Sequence, residues 1–168
     1  MPIIEPNSLN PFIDGRQSLN ALMVRQGVER HLRKLGYSCL AELTLASGRR
    51  CDLICLSPKA NFVIVEVKSS VEDFRVDNKW QEYQQYCDSF YFATHSGVPA
   101  DIFPENTGLI IADSYGAEIV REAESISISA ASRKALLLRY ARVATQRLNL
   151  VSHYAEKAGF EVDYSKSD

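Results

Sequence analysis

The stretch Phe62-Val63-Ile64-Val65-Glu66-Val67-Lys68 reads as a buried strand that ends in an acid and a base. Valine, isoleucine and phenylalanine are enriched in strands. Side chains alternate between the two faces of a strand, so Val63, Val65 and Val67 share one face, expected in the core. Phe62, Ile64, Glu66 and Lys68 share the other. Charges at the end of an apolar strand are costly to bury unless they are paired or hold a metal. This end of the strand is therefore the edge of a candidate active site.

A second acid arrives from upstream. Arg49-Arg50-Cys51-Asp52-Leu53-Ile54-Cys55-Leu56 reads as another strand with Asp52 at its start. Ser57-Pro58-Lys59-Ala60-Asn61 has turn composition and reverses the chain. Asp52 and Glu66 lie fourteen residues apart, which leaves room for a strand, a turn and a strand. A hairpin then brings both carboxylates to one end of adjacent strands. Two carboxylates with a lysine two residues beyond the second suit a hard cation. Mg²⁺ prefers oxygen ligands, keeps several waters, and commonly takes one or two carboxylates plus substrate phosphate.

Asp52 followed by Glu66-Val67-Lys68 resembles the D…ExK signature of the PD-(D/E)XK nuclease superfamily. The runs from Leu43 to Asp52 and from Glu66 to Trp80 resemble the MmcB-like family of DNA repair proteins. The similarity continues through Tyr83, Cys87-Asp88, Phe90 to Ala93, Gly108 to Asp113 and the basic C-terminal helix, over roughly residues 20 to 150. The short motif recurs by chance at loose spacing, whereas the long runs are much more specific. Cys51 stands where the superfamily's name has proline, a position that does no chemistry.

The resemblance implies an α/β fold with a restriction-endonuclease-like αβββαβ core, a mixed central sheet flanked by helices. It implies a metal-dependent DNA endonuclease acting in DNA repair. Asp52, Glu66 and the backbone carbonyl of Val67 would hold Mg²⁺, with Mn²⁺ able to substitute. Lys68 would position the attacking water or stabilise charge on the phosphate. DNA is the implied partner, with other repair proteins beside it and a homodimer among the arrangements, although the sequence shows no dimer stripe. A reading from another class is a catalytically inactive nuclease-fold DNA-binding or scaffold subunit. Retention of Asp52, Glu66 and Lys68 argues against it.

The 168 residues are enough for one domain with its own core. Hydrophobic content of 46% and charged content of 24% are ordinary for a globular protein. No apolar run approaches the length of a membrane span. The first residues lack the basic and apolar regions of a signal peptide. Cys39, Cys51, Cys55 and Cys87 form no CxxC pair and read as buried free thiols. A cytoplasmic location follows. The formal charge of −2 argues against broad non-specific nucleic-acid binding, though the distribution of charge matters more than its total.

Residues 1–15 read as an irregular arm, 16–150 as a single nuclease-like domain and 151–168 as a loosely held tail. A first helix is expected from Ser18 to Leu35, stopped by Gly36, with Glu29 on its solvated face. Tyr37 to Leu45 reads as a strand, turned by Ala46-Ser47-Gly48 into the Asp52 strand. Glu42 either points at the metal end or occupies an exposed position on a half-buried strand. Arg50, on the same face as Asp52, is a candidate phosphate contact, and Arg49 a surface charge.

Beyond Lys68, Ser70 and Asp73 offer a capping box, and a helix is expected from Asp77 to Asp88. It places Lys79, Tyr83 and Tyr86 on one face. The resemblance makes Lys79 and Tyr83 supporting site residues; the alternatives are a surface charge and a core aromatic. Asp73, Arg75 and Asp77 either form a network that orients the site or serve as acids at a helix start. Strands follow over Ser89 to Thr94, Leu109 to Ala112 and Glu118 to Arg121. His31, His95 and His153 are scattered and do not read as metal ligands. The last helix is expected from Ser132 to Leu150, with Arg133, Lys134, Arg139, Arg142 and Arg147 as a basic face. That face either tracks phosphates or solubilises the helix.

Overall fold

The computed structural model describes residues 18–166; the irregular arm expected over residues 1–15 lies outside them. Helix α1 (Leu19–Lys34) is capped by Ser18, whose hydroxyl accepts the Ala21 N–H. Strands β1 (Ser38–Thr44), β2 (Arg50–Leu56) and β3 (Phe62–Val67) follow. A short helix α2 (Val71–Val76), a 3-10 helix (Trp80–Tyr86) and β4 (Ser89–Thr94) complete the αβββαβ order expected from the sequence. Beyond it come β5 (Gly108–Ala112), β6 (Ala117–Arg121) and the long helix α3 (Ala130–Lys157).

The six strands lie side by side in chain order. β1, β2 and β3 form an antiparallel meander, β3–β4–β5 are parallel, and β6 returns antiparallel. The sheet is mixed and flanked by helices, as expected. Each parallel step needs a crossover, and the one from β3 to β4 carries α2 and the 3-10 helix. The alternation read from β3 holds. Val63, Val65 and Val67 pack with Val24, Val28 and Leu32 of α1. Phe62 and Ile64 pack on the other face with Trp80, Phe90, Phe92, Leu136 and Tyr140. Both faces are core, so every residue of β3 is buried, Glu66 included. Among the described residues no helix is long and apolar enough to cross a membrane.

Two expectations along the chain are corrected. The stretch expected as a helix from Asp77 to Asp88 instead carries the 3-10 helix, and α2 precedes it and is capped by Asp77. A 3-10 helix has three residues per turn, so residues three apart line up. Trp80, Tyr83 and Tyr86 have that spacing, and burial of their rings selects it. Trp80 and Tyr83 both stack on Phe90. The last helix is longer than expected. Ser129 caps it by accepting the Ser132 N–H, and it runs to Lys157 through residues read as a loosely held tail.

One buried carboxylate ties the elements together. Asp88 accepts the N–H groups of Phe62 and Ile128, and both of its oxygens accept from the Arg133 guanidinium, at 2.6 and 2.7 Å. It thereby joins the start of β3, the start of β4 and α3. The Arg133 hydrogen bonds hold the Asp88 carboxyl below its ordinary range, against the opposing effect of burial. A carboxyl depressed in this way stabilises the fold above its unfolded pKa and loses that contribution as pH falls through the folded value. Asp88→Asn is expected to lower stability at pH 7 and to flatten the loss of stability below about pH 4. Asp88→Ala, which leaves Arg133 without its counter-charge, should cost roughly 3 kcal/mol in urea unfolding.

Candidate active site

The β2–β3 ladder runs from Leu56 opposite Phe62 to Leu53 opposite Val65 and then stops. One step further the register sets Asp52 opposite Glu66. There the backbone carbonyls of the ladder are replaced by carboxylates. The Asp52 N–H donates to Glu66 Oε1 at 3.0 Å, and the Val67 N–H donates to Asp52 Oδ2 at 2.8 Å. Each acid is thus anchored through one oxygen to the backbone of the other strand. Asp52 Oδ1 and Glu66 Oε2 accept no hydrogen bond among the described residues.

This geometry crowds two negative charges into a poorly solvated corner. Burial pushes the Glu66 carboxyl well above its ordinary range, and the neighbouring Asp52 pushes it further. Burial raises the Asp52 carboxyl too, with Asp73 and Glu42 adding to the effect. A cation placed between the acids reverses both tendencies. Among the described residues no three His, Cys, Asp or Glu side chains form a ready-made metal cage. Two carboxylates, each with one oxygen left over from its backbone hydrogen bond, suit a hard cation such as Mg²⁺, which retains water and completes its shell from substrate oxygens.

Lys68 follows on the same edge, and its ammonium lies 2.8 Å from Asp77 Oδ2. Burial works against its charge, but the Asp77 hydrogen bond and the carboxylates of Asp77, Glu66 and Asp73 outweigh it and raise the Lys68 pKa. Burial also disfavours the charge on Asp77, yet Lys68, the Lys79 N–H and Arg49 hold its carboxyl below the ordinary range. The backbone beyond β3 is fixed from the loop after β4. The Thr94 hydroxyl donates to the Lys68 carbonyl at 2.7 Å. His95 Nδ1 accepts the Gly97 N–H, which leaves Nε2 as the protonated nitrogen, donating to the Ser69 carbonyl at 2.9 Å.

The edge opens into a cavity of about 330 Å³. It is lined by Asp52, Glu66, Val67 and Lys68 of the sheet edge together with Ser18, Ala21, Glu42, Arg50, Ser69 and Asp73. α1 sits where it does because Gly27 has no side chain. A Cβ there would lie 1.9 Å from the Asp113 carbonyl oxygen.

The structure sorts the remaining sequence candidates. Glu42 faces the cavity, with Oε1 3.7 Å from Arg50 Nη2. It holds φ 54° inside β1, a left-handed conformation that costs a residue with a Cβ about 1–2 kcal/mol. Glu29 is away from the site and pairs with Arg33 on the solvated face of α1. Lys79 is exposed and does not line the cavity. Tyr83 is core: its hydroxyl donates to the Arg50 carbonyl at 3.0 Å, which steadies the entry to β2. Arg49 is no simple surface charge, because it lies over the Tyr83 ring and near Asp77 and Glu82.

The basic face of α3 is partly absorbed by the fold. Arg133 is bound by Asp88, Arg139 donates to the Thr44 carbonyl, and Arg147 donates to the carbonyls of Ala41 and Glu42. Lys134 and Arg142 are exposed. All four cysteines are free thiols, three of them buried. The roles of Thr94, His95 and Arg147 were not legible in the sequence. Asp77 carried a signal, as an acid close after the lysine, but nothing there specified its partner.

The fold and the edge together define an α/β protein that carries an acid–acid–lysine site at the end of a mixed sheet. Residues 8–155 match the family described as DNA repair protein MmcB-like, and the chain belongs to that family. A solved structure of a protein of unknown function from Silicibacter pomeroyi is similar at 36% identity and a TM-score of 0.78. The match covers 87% of this chain and 98% of that one. No curated protein matches the chain.

Asp52→Asn retains an acceptor for the Val67 N–H while removing one of the crowded charges. In chelator at pH 7 it is expected to raise stability in urea unfolding by roughly 1 kcal/mol. A fall of similar size would show that the ionised pair stabilises the fold.

Proposed function

We propose that the chain is a metal-dependent DNA endonuclease of the PD-(D/E)XK type, hydrolysing phosphodiester bonds in DNA repair. The observation that carries this reading is the convergence of Asp52 and Glu66, each with one oxygen on backbone and one turned to other use, with Lys68 on the same edge. Membership of a family described as DNA repair protein supplies the setting and supports DNA as the substrate. Other repair proteins are the natural partners, and a homodimer is the arrangement suited to cutting two strands.

Asp52, Glu66 and the Val67 carbonyl would hold the cation. A bound Mg²⁺ or Mn²⁺ would supply Lewis acidity to polarise the scissile phosphate and to lower the pKa of a water. Lys68 stays protonated beside Asp77, Glu66 and Asp73. Its role is therefore that of a donor, orienting the water or stabilising charge as it develops on the phosphate. Arg50, at the mouth of the cavity, meets a neighbouring phosphate. The exposed Lys134 and Arg142 supply backbone contacts further along the duplex.

A second reading is a nuclease-fold DNA-binding or scaffold subunit that cuts nothing. It is favoured by the engagement of Lys68 with Asp77 and of Arg133 and Arg147 with the fold itself. Labelled single-stranded, duplex, flapped and four-way DNAs with Mg²⁺ or Mn²⁺ separate the two. The wild type is expected to cut at least one, and Asp52→Ala and Lys68→Ala each to lose at least about 100-fold in rate. Mg²⁺ should raise the Tm of the wild type and of Lys68→Ala but not of Asp52→Ala. Cutting by Lys68→Ala at the wild-type rate would remove the mechanism. Cation binding without cleavage of any DNA would support the scaffold.

A further inference from the structure

Arg147 was expected on a basic face that either tracks phosphates or solubilises the helix, but its guanidinium is turned inward. It donates to two successive carbonyls of β1, those of Ala41 and Glu42, the latter at 2.8 Å. Between and beside these bonds Glu42 adopts φ 54°. The flanking pairs, Ala41 with Leu53 and Leu43 with Cys51, keep one register, and that register sets Glu42 opposite Asp52. The turned residue thus interrupts β1 at the level of the Asp52–Glu66 pair.

Among the described residues, the packing of β1 does not account for this. Leu43 is fully buried on one side of the kink and Ala41 packs against the α1 core on the other. A left-handed residue inside a strand would ordinarily be glycine. A strained residue that the surrounding structure over-determines is a signature of a functional position. Here the residue is a glutamate whose carboxylate lines the cavity, approaches Arg50 at 3.7 Å and acts electrostatically on Asp52.

We infer that Arg147 is a positioning residue for the cation site: by fixing the carbonyls of Ala41 and Glu42 it holds the Glu42 carboxylate at the cavity wall, where it strengthens binding of a divalent cation by Asp52 and Glu66. Glu42 acts through its charge and through water of the cation's shell, and it steers Arg50 at the mouth. The inference rests on the metal-site reading proposed above. It assigns Arg147 to the interior of the site and removes it from the DNA-facing surface.

The test is a double-mutant cycle on Mn²⁺ affinity, measured calorimetrically on the full chain, with Tm recorded in chelator. Glu42→Gln and Arg147→Met are each expected to weaken Mn²⁺ binding several-fold. The double variant should bind no more weakly than Glu42→Gln alone, because the arginine acts only through the glutamate. Glu42→Gly should raise the Tm while weakening Mn²⁺, since glycine adopts this φ without strain. If Arg147→Met lowers the Tm and leaves Mn²⁺ affinity unchanged, the arginine is structural and the inference is overturned. Losses that multiply in the double variant overturn it as well. If Asp52→Ala abolishes Mn²⁺ binding while Glu42→Gln and Arg147→Met bind as tightly as the wild type, the metal reading stands and the positioning role falls. If the wild type binds no Mn²⁺, both fall.

Discussion

The site depends on a substitution of acceptors at the end of one hairpin. Within a sheet, each backbone N–H is satisfied by a carbonyl of the next strand. At the open end of β2 and β3, the N–H groups of Asp52 and Val67 are satisfied by the carboxylates of Glu66 and Asp52. The exchange ends the ladder without leaving buried donors unpaired. It also fixes two acids face to face, each with one oxygen committed and one not. The fold thus tolerates a concentration of negative charge because those charges perform the work of the missing carbonyls.

The surroundings follow from that concentration. Lys68 brings a positive charge to the same edge, and Asp77 keeps it in place and protonated. Arg49 lies between Asp77, Glu82 and the Tyr83 ring, and so ties the start of β2 to the 3-10 helix. Thr94 and His95 hold the chain that leaves β3. Below this polar layer, α1 covers one face of the sheet and an aromatic cluster around Phe90 and Phe92 covers the other. The charges are therefore supported by two cores, and α3 reaches across through Arg147 to the carbonyls of Ala41 and Glu42.

The central hairpin was legible because its signals are local. Alternation along Phe62–Lys68 and the turn residues Ser57–Asn61 are enough to place Asp52 and Glu66 at one end of the hairpin. The resemblance to MmcB-like proteins added the order of elements around them. What was not legible depends on long-range partners or on a competing period. Trp80, Tyr83 and Tyr86 fit a three-residue turn, but an amphipathic α-helix is the default reading of such a stretch; in the 3-10 arrangement Lys79 is exposed and does not line the cavity. The arginines of α3 look alike in sequence. Arg133 turns inward for Asp88, 45 residues away, and Arg147 for carbonyls of β1 that carry no side-chain signal at all. His95 reads as a loop residue because its partners are backbone atoms.

The most direct test of the account is the anomalous difference density of a Mn²⁺-soaked crystal. One peak is expected about 2.1 Å from oxygens of both Asp52 and Glu66, with Lys68 still beside Asp77. A soaked crystal with no peak between those carboxylates, or with the Lys68 ammonium moved into that space, would contradict it.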